Sequence, residues 1–150
     1  MTRWLGIDHG TRRIGVAVGS VAEAIASPVA VVGARPLEAA IRRIGQLAEE
    51  YGAAGVVVGW PLNMDDTEGP QGVLAREMAL LLARSTGLDV RLWDERLSSF
   101  AADQALAGTY TRKKKKARQD AVAAAEMLRH FLTADGPRAA PRPDEARADQ

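Results

Sequence analysis

Three carboxylates stand where the hydrophobic pattern does not ask for them. Asp8 ends the apolar run Trp4-Leu5-Gly6-Ile7, and Glu95 follows the run Asp89-Val90-Arg91-Leu92-Trp93-Asp94. Asp120 lies four residues before Ala124, in line with a helical stripe of Ala124, Met127, Leu128 and Phe131. Taken singly, each has an ordinary explanation. Asp8 can form an Asx-type turn before Gly10, Glu95 can be solvated or paired with Arg96, and Asp120 can favour the positive end of a helix dipole. Brought to one rim of a sheet, three acids repel one another and raise each other's pKa. A bound divalent cation removes that conflict, and an all-oxygen donor set favours Mg²⁺ or Mn²⁺ over zinc. Two such ions about 4 Å apart can clamp the attacking and leaving oxygens of a phosphodiester.

Basic residues crowd next to the third acid. Arg112, Lys113, Lys114, Lys115, Lys116 and Arg118 place six of the 20 Lys+Arg within seven positions, although the net charge of the chain is only +1. A local patch of this kind holds polyanion phosphates that carboxylates alone would repel. Tyr110 can stack a base. Arg12 and Arg13 add charge to the turn after Asp8. His9, His130, Asn63 and Asp65 have readier explanations as turn, helix and loop residues, and no catalytic role is attached to them.

The elements that must position these groups follow from periodicity. Trp4–Ile7 and Ile14–Val18 read as two strands joined by a tight basic turn, and Ser27–Val32 as a third, with Pro28 at an entry or edge position. Leu37, Ala40, Ile41, Ile44, Leu47, Ala48 and Tyr51 recur at helical spacing between Pro36 and Gly52. Gly55-Val56-Val57-Val58-Gly59 reads as a strand buried on both faces. A loop over residues 60–70 precedes a helix over about 71–84, and a fifth strand spans 89–94. A helix capped by Ser98 or Ser99 is expected to reach Leu106, an exposed loop to span Gly108 to Lys116, and a last helix to run from about Ala117 to Leu132. Beyond Ala134 the Pro, Ala, Arg and Asp residues show no periodicity and read as a disordered tail over 134–150. The order β-β-β-α-β-α-β-α-α implies an α/β domain over 1–133 with a mixed sheet between helices. Ligands of such sheets lie beyond the C-terminal strand ends, where Asp8 and Glu95 stand.

The totals agree with one globular domain: 150 residues, 47% apolar and 26% charged, with no cysteine for thiol chemistry, disulfides or thiolate metal ligation. No run approaches the ~20 apolar residues of a membrane span, and the first residues lack a signal core. A cytoplasmic location without membrane association is the expectation.

Four stretches together resemble a known family. Gly6-Ile7-Asp8-His9-Gly10-Thr11-Arg12-Arg13-Ile14-Gly15-Val16-Ala17, Val58-Gly59-Trp60-Pro61-Leu62-Asn63-Met64-Asp65, Asp94-Glu95-Arg96-Leu97-Ser98-Ser99 and Asp120-Ala121-Val122-Ala123-Ala124 are similar, in that order, to the motifs of the YqgF/RuvX family. The resemblance covers about residues 3–133. It implies a ribonuclease-H-like fold with a five-stranded mixed sheet of order 3-2-1-4-5, and Asp8, Glu95 and Asp120 as a metal-binding catalytic triad. The family is assigned both to Holliday-junction resolution and to maturation of the 5′ end of pre-16S rRNA, and homodimers occur within it. In that strand order Asp8 and Glu95 lie two strands apart, roughly 10 Å between backbones, so both side chains must lean inward to meet.

The expected function is therefore that of an endonuclease using Mg²⁺ or Mn²⁺ on structured RNA or branched DNA. Asp8, Glu95 and Asp120 would hold the metal, and Arg12, Arg13 and Lys113–Lys116 the backbone. Ribosomal particles are possible partners. The opening also looks like the first phosphate loop of actin-like ATPases and sugar kinases, but the second domain and second glycine-rich loop they need cannot be found. A non-catalytic nucleic-acid- or ribosome-binding factor with a structural ion remains the alternative.

Overall fold

The computed structural model describes residues 2–97 and 112–146. Strands β1 (Arg3–His9), β2 (Arg13–Ser20), β3 (Ile25–Gly33), β4 (Ala53–Trp60) and β5 (Asp89–Asp94) form one sheet in the order β3-β2-β1-β4-β5. The first three pair antiparallel, and β4 and β5 add in parallel to β1. Helix α1 (Leu37–Glu50) precedes β4 and α2 (Pro70–Thr86) precedes β5. A single 3-10 turn, Glu95–Leu97, follows β5, and α3 spans Arg112–Thr133. The expected α/β class and sheet order both hold.

The two faces of the sheet differ in side-chain size, and this difference positions the site. Alternate residues Leu5, Ile7, Ile14, Val16, Val56, Val58, Val90 and Leu92 point to one face and pack beneath α1 and α2. The other face carries Trp4, Ala17 and Val57 under Ala124, Met127, Leu128 and Phe131 of α3. Its remaining strand positions are largely glycine. A Cβ on Gly6 would lie 2.7 Å from the Leu128 Cβ, and one on Gly15 would collide with the Asp120 carbonyl. Helix α3 therefore rests directly on the backbone of β1 and β2, a close approach that only residues without side chains permit.

Pro28 sits on the edge strand where the β2–β3 register shifts between Val16 and Ala17, so its missing N–H costs no ladder bond. The Lys113–Lys116 run, expected in a loop, is instead in the first turns of α3. Lysine, arginine, glutamine and alanine are all good helix formers, and nothing in 112–119 breaks a helix. The helix expected over 98–106, and Tyr110, lie outside the described residues.

The chain after Ala134 is also corrected: as far as residue 146 it packs on the domain instead of forming a disordered tail. Gly136–Ala139 forms a helical turn with Gly136 against Phe131, and Ala140 is buried. The Leu92 N–H donates to the Pro141 carbonyl at 2.9 Å. Arg91, only 7% exposed, reaches Asp89 at 2.7 Å and the Ala140 carbonyl at 2.6 Å. The segment thus covers the outer edge of β5, an edge that would otherwise present unpaired backbone groups.

Candidate active site

Asp8 is one residue beyond the Ile7–Val58 pair and opposite Gly15 in β2. It is flanked by glycine on both neighbouring strands, with Gly15 on one side and Gly59 on the other. The Glu95 side chain lies over Gly59, and a Cβ there would strike its carboxyl group. Glycine in β4 is what lets a side chain from the far side of that strand reach β1. This is the physical solution to the two-strand separation expected between Asp8 and Glu95.

The two carboxyls meet. Burial, the hydrogen bond to Asp8 and the charges of Asp8 and Asp94 push Glu95 from its ordinary value up to about 10. Without a cation the pair therefore favours holding a proton between its two carboxyls. Beside them, burial lowers the His9 imidazole despite the opposing pull of Asp8. The buried His9 Nδ1 has no hydrogen-bond partner among the described residues.

The third acid is near, but turned aside. The Asp120 backbone sits on Gly15, the register partner of Asp8, while its Oδ2 accepts from Arg13 Nε at 2.8 Å. Among the described residues, no group of three His, Asp or Glu side chains converges closely enough to hold a metal ion. The structure brings together Asp8 and Glu95; Arg13 holds Asp120. Arg13 is accordingly engaged by a carboxylate here, whereas Arg12 is exposed on the turn, which closes through the Gly10 N–H to Arg13 carbonyl bond of 2.9 Å. The lysines of α3 start two turns before Asp120 on the same helix.

Sequence reading missed the bracing around Glu95. Arg96 does not pair with Glu95: it grips Asp94 at 2.6 Å, Asp66 at 2.7 Å and the Asn63 carbonyl at 2.9 Å. Burial opposes ionisation of Asp94, but these Arg96 contacts outweigh it and hold its carboxyl below the usual range. The β4–α2 loop is fastened at its other end by Glu68, which accepts from Trp60 Nε1 at 2.7 Å and from Arg76 Nε at 2.9 Å. Arg76 and Trp60 together hold Glu68 below its ordinary pKa although burial works the other way. The sequence signal for the approach of Glu95 to Asp8 is Gly59, which in the sequence reads only as part of a buried strand.

Residues 2–134 match the family model RuvX, described as Holliday junction resolvase. The chain belongs to the RuvX family. A curated relative from Acidiphilium cryptum (strain JF-5), named "Putative pre-16S rRNA nuclease", is 40% identical over 144 residues, covering 95% of this chain and 89% of the relative. One of the same name from Myxococcus xanthus (strain DK1622) is 39% identical, covering 90% of each. Among solved structures, Thermus thermophilus RuvC in complex with Holliday junction substrate aligns with a TM-score of 0.57 at 21% identity, covering 94% of this chain and 99% of that one. The fowlpox virus Holliday junction resolvase aligns with a TM-score of 0.55 at 10% identity, over 89% and 99%. At these identities the structural likeness shows the fold alone. RuvX membership places the chain among nucleases, hydrolases of phosphodiester bonds. Among the described residues, no helix is long and apolar enough to cross a membrane.

Proposed function

We propose that this chain is a divalent-metal-dependent endonuclease that matures the 5′ end of pre-16S rRNA, resolves branched DNA, or does both. The observation that carries the reading is the meeting of Asp8 and Glu95 across Gly59. Two carboxyls sharing one proton are a poor arrangement for folding and a good one for a hard cation, which takes the proton's place. The donor set is all oxygen, so the residues fit Mg²⁺ or Mn²⁺, held by Asp8 and Glu95 with Asp120 as the third ligand. When bound, the cation supplies Lewis acidity at phosphorus and a water activated for attack.

The chain's own residues do the rest. Asp8 and Glu95 fix where the reaction takes place, because one is set by a strand end and the other by the Arg96-braced turn. Burial of His9 disfavours a positive charge on the imidazole beside the acid pair. Arg12, Arg13 and Lys113–Lys116 position the phosphate backbone, and Arg13 exchanges Asp120 for a phosphate when it does so. Ribosomal particles are the partners this reading requires for the rRNA substrate, in the cytoplasm, and a homodimer suits a two-fold branched substrate.

The Arg13–Asp120 ion pair favours a second reading, a non-catalytic nucleic-acid- or ribosome-binding factor in which the acids hold a structural ion. A cleavage assay separates the two. Wild type and Asp8→Asn are given a labelled pre-16S 5′ leader and a four-way DNA junction, with Mn²⁺ or with chelator. Expected is product from wild type with Mn²⁺ only, and binding without cleavage by Asp8→Asn. Full cleavage by Asp8→Asn rejects the nuclease site; binding by wild type without product on either substrate favours the factor.

A further inference from the structure

On the side of the sheet away from Glu95, the β1–β2 turn and the segment after β3 enclose an open cleft of about 330 Å³. Among the described residues its lining is Thr11, Arg12 and Arg35, with no carboxylate. Arg13, Arg76 and Arg96 each reach another segment through an acid, Asp120, Glu68 and Asp66. Arg12 and Arg35 form no ion pair among the described residues, yet the backbone holds them side by side. The Ala34 N–H donates to the Arg12 carbonyl at 2.9 Å, and Ala34 is 5% exposed, so neither segment can swing away without breaking that bond. Two exposed arginines on neighbouring backbone segments, unpaired with any acid among the described residues, make a local positive patch that suits an anion.

The chemistry of the lining defines the anion. Two forked donors and a hydroxyl suit a phosphate oxygen cluster. The place defines the ligand. The cleft opens at the same end of the sheet as the acid pair, because β1 ends there, β2 starts there and β3 ends there. The end of β3 is two strands from β1, roughly 10 Å between backbones. A phosphate in the cleft would therefore be close enough to Asp8 to belong to the backbone of the strand that reaches it.

We infer that Thr11, Arg12 and Arg35 form a phosphodiester-binding subsite that sets the strand's register on the acid pair, with Arg35 as a nucleic-acid contact that none of the four sequence motifs includes. This rests on the nuclease reading. A phosphate contact carries no sequence information, so the subsite's effect is the same for any sequence.

The test uses the full chain carrying Asp8→Asn, so that ligand is bound and not cut, and fluorescence anisotropy with a labelled pre-16S 5′ leader RNA and a labelled four-way DNA junction across a salt series. Adding Arg35→Ala is expected to weaken binding several-fold and to lower the slope of log affinity against log salt by about 0.7–0.9, one phosphate contact. Arg35→Lys should recover most of the slope, and Arg43→Ala on α1 should leave it unchanged. Loss on both ligands assigns the subsite to backbone common to RNA and DNA, and loss on one assigns it to that polymer. Unchanged affinity and slope with Arg35→Ala on both ligands overturns the subsite while the nuclease reading stands. Failure of the Asp8→Asn protein to bind either ligand overturns both.

Discussion

At the residue scale, the Asp8–Glu95 contact makes a statement about stability against pH. Glu95 is lifted from 4.5 to about 10, so between those values the folded chain holds a proton the unfolded chain has released. Its contribution is complete below pH 4.5 and is lost as pH rises toward 10, so stability falls with pH across that window. In chelator, Glu95→Gln should therefore melt higher than wild type at pH 8.5 and show a shallower fall between pH 6 and 9. Saturating Mn²⁺ should remove most of the difference in slope for wild type, since the cation displaces the proton. Melting curves followed by circular dichroism check this, and a wild-type curve flat with pH in chelator would contradict it. Asp120 allows a second measurement. Arg13→Gln frees its carboxylate, whereas Arg12→Gln changes charge equally and touches no acid among the described residues, so Mn²⁺ affinity by calorimetry should rise more for Arg13→Gln than for Arg12→Gln. Equal effects would mean that the ion pair at 2.8 Å does not withhold a ligand.

At the element scale, the site depends on the glycine face of the sheet. Gly59→Ala would place a methyl group where the Glu95 carboxyl lies. The expected result is a folded protein with nuclease activity cut by at least an order of magnitude, because a displacement of about 1 Å in a positioned group costs up to a hundredfold. Gly15→Ala meets helix backbone instead, which cannot rotate away as a side chain can, and is expected to destabilise by roughly 1–3 kcal/mol. Comparing urea midpoints with cleavage rates separates the two: Gly59 should show mainly in rate, Gly15 mainly in midpoint.

This is also where sequence legibility divides. The strand-and-helix order was readable because Leu5, Ile7, Val56 and Val58 alternate or run together, and α1 carries Ile41, Ile44 and Leu47 at helical spacing. Asp8, Glu95 and Asp120 stood out as acids attached to apolar patterns. What held Glu95 against Asp8 was not readable, because Gly59 has no side chain and a glycine beside a strand equally marks its end. Nor was the Arg13–Asp120 pairing, a contact across 107 positions whose partners each had another plausible role. The start of α3 was lost for a different reason: four consecutive lysines resemble a solvated loop in composition while favouring helix in propensity.

At the scale of the whole molecule, the segment from 134 to 146 completes the fold although it has no periodic pattern to announce it. Its apolar groups are small, and its hold depends on backbone: the Pro141 carbonyl takes the Leu92 N–H, and the Ala140 carbonyl takes a guanidinium N–H of Arg91. Removing residues 135–150 would leave Arg91 with Asp89 alone in a largely buried setting and return an open edge to β5. An orphaned buried donor costs about 1–3 kcal/mol and the lost packing adds to it. The truncated chain should thus unfold at lower urea, and its exposed strand edge should drive concentration-dependent association visible by light scattering. Arg91→Met in the full chain gives the complementary measurement, since it removes the charge along with its need for partners and should cost less than the truncation. If the truncated chain matches the full chain in midpoint and stays monodisperse, the segment merely lies on the domain; if it falls as expected, the folding unit extends to about residue 146 and not 133.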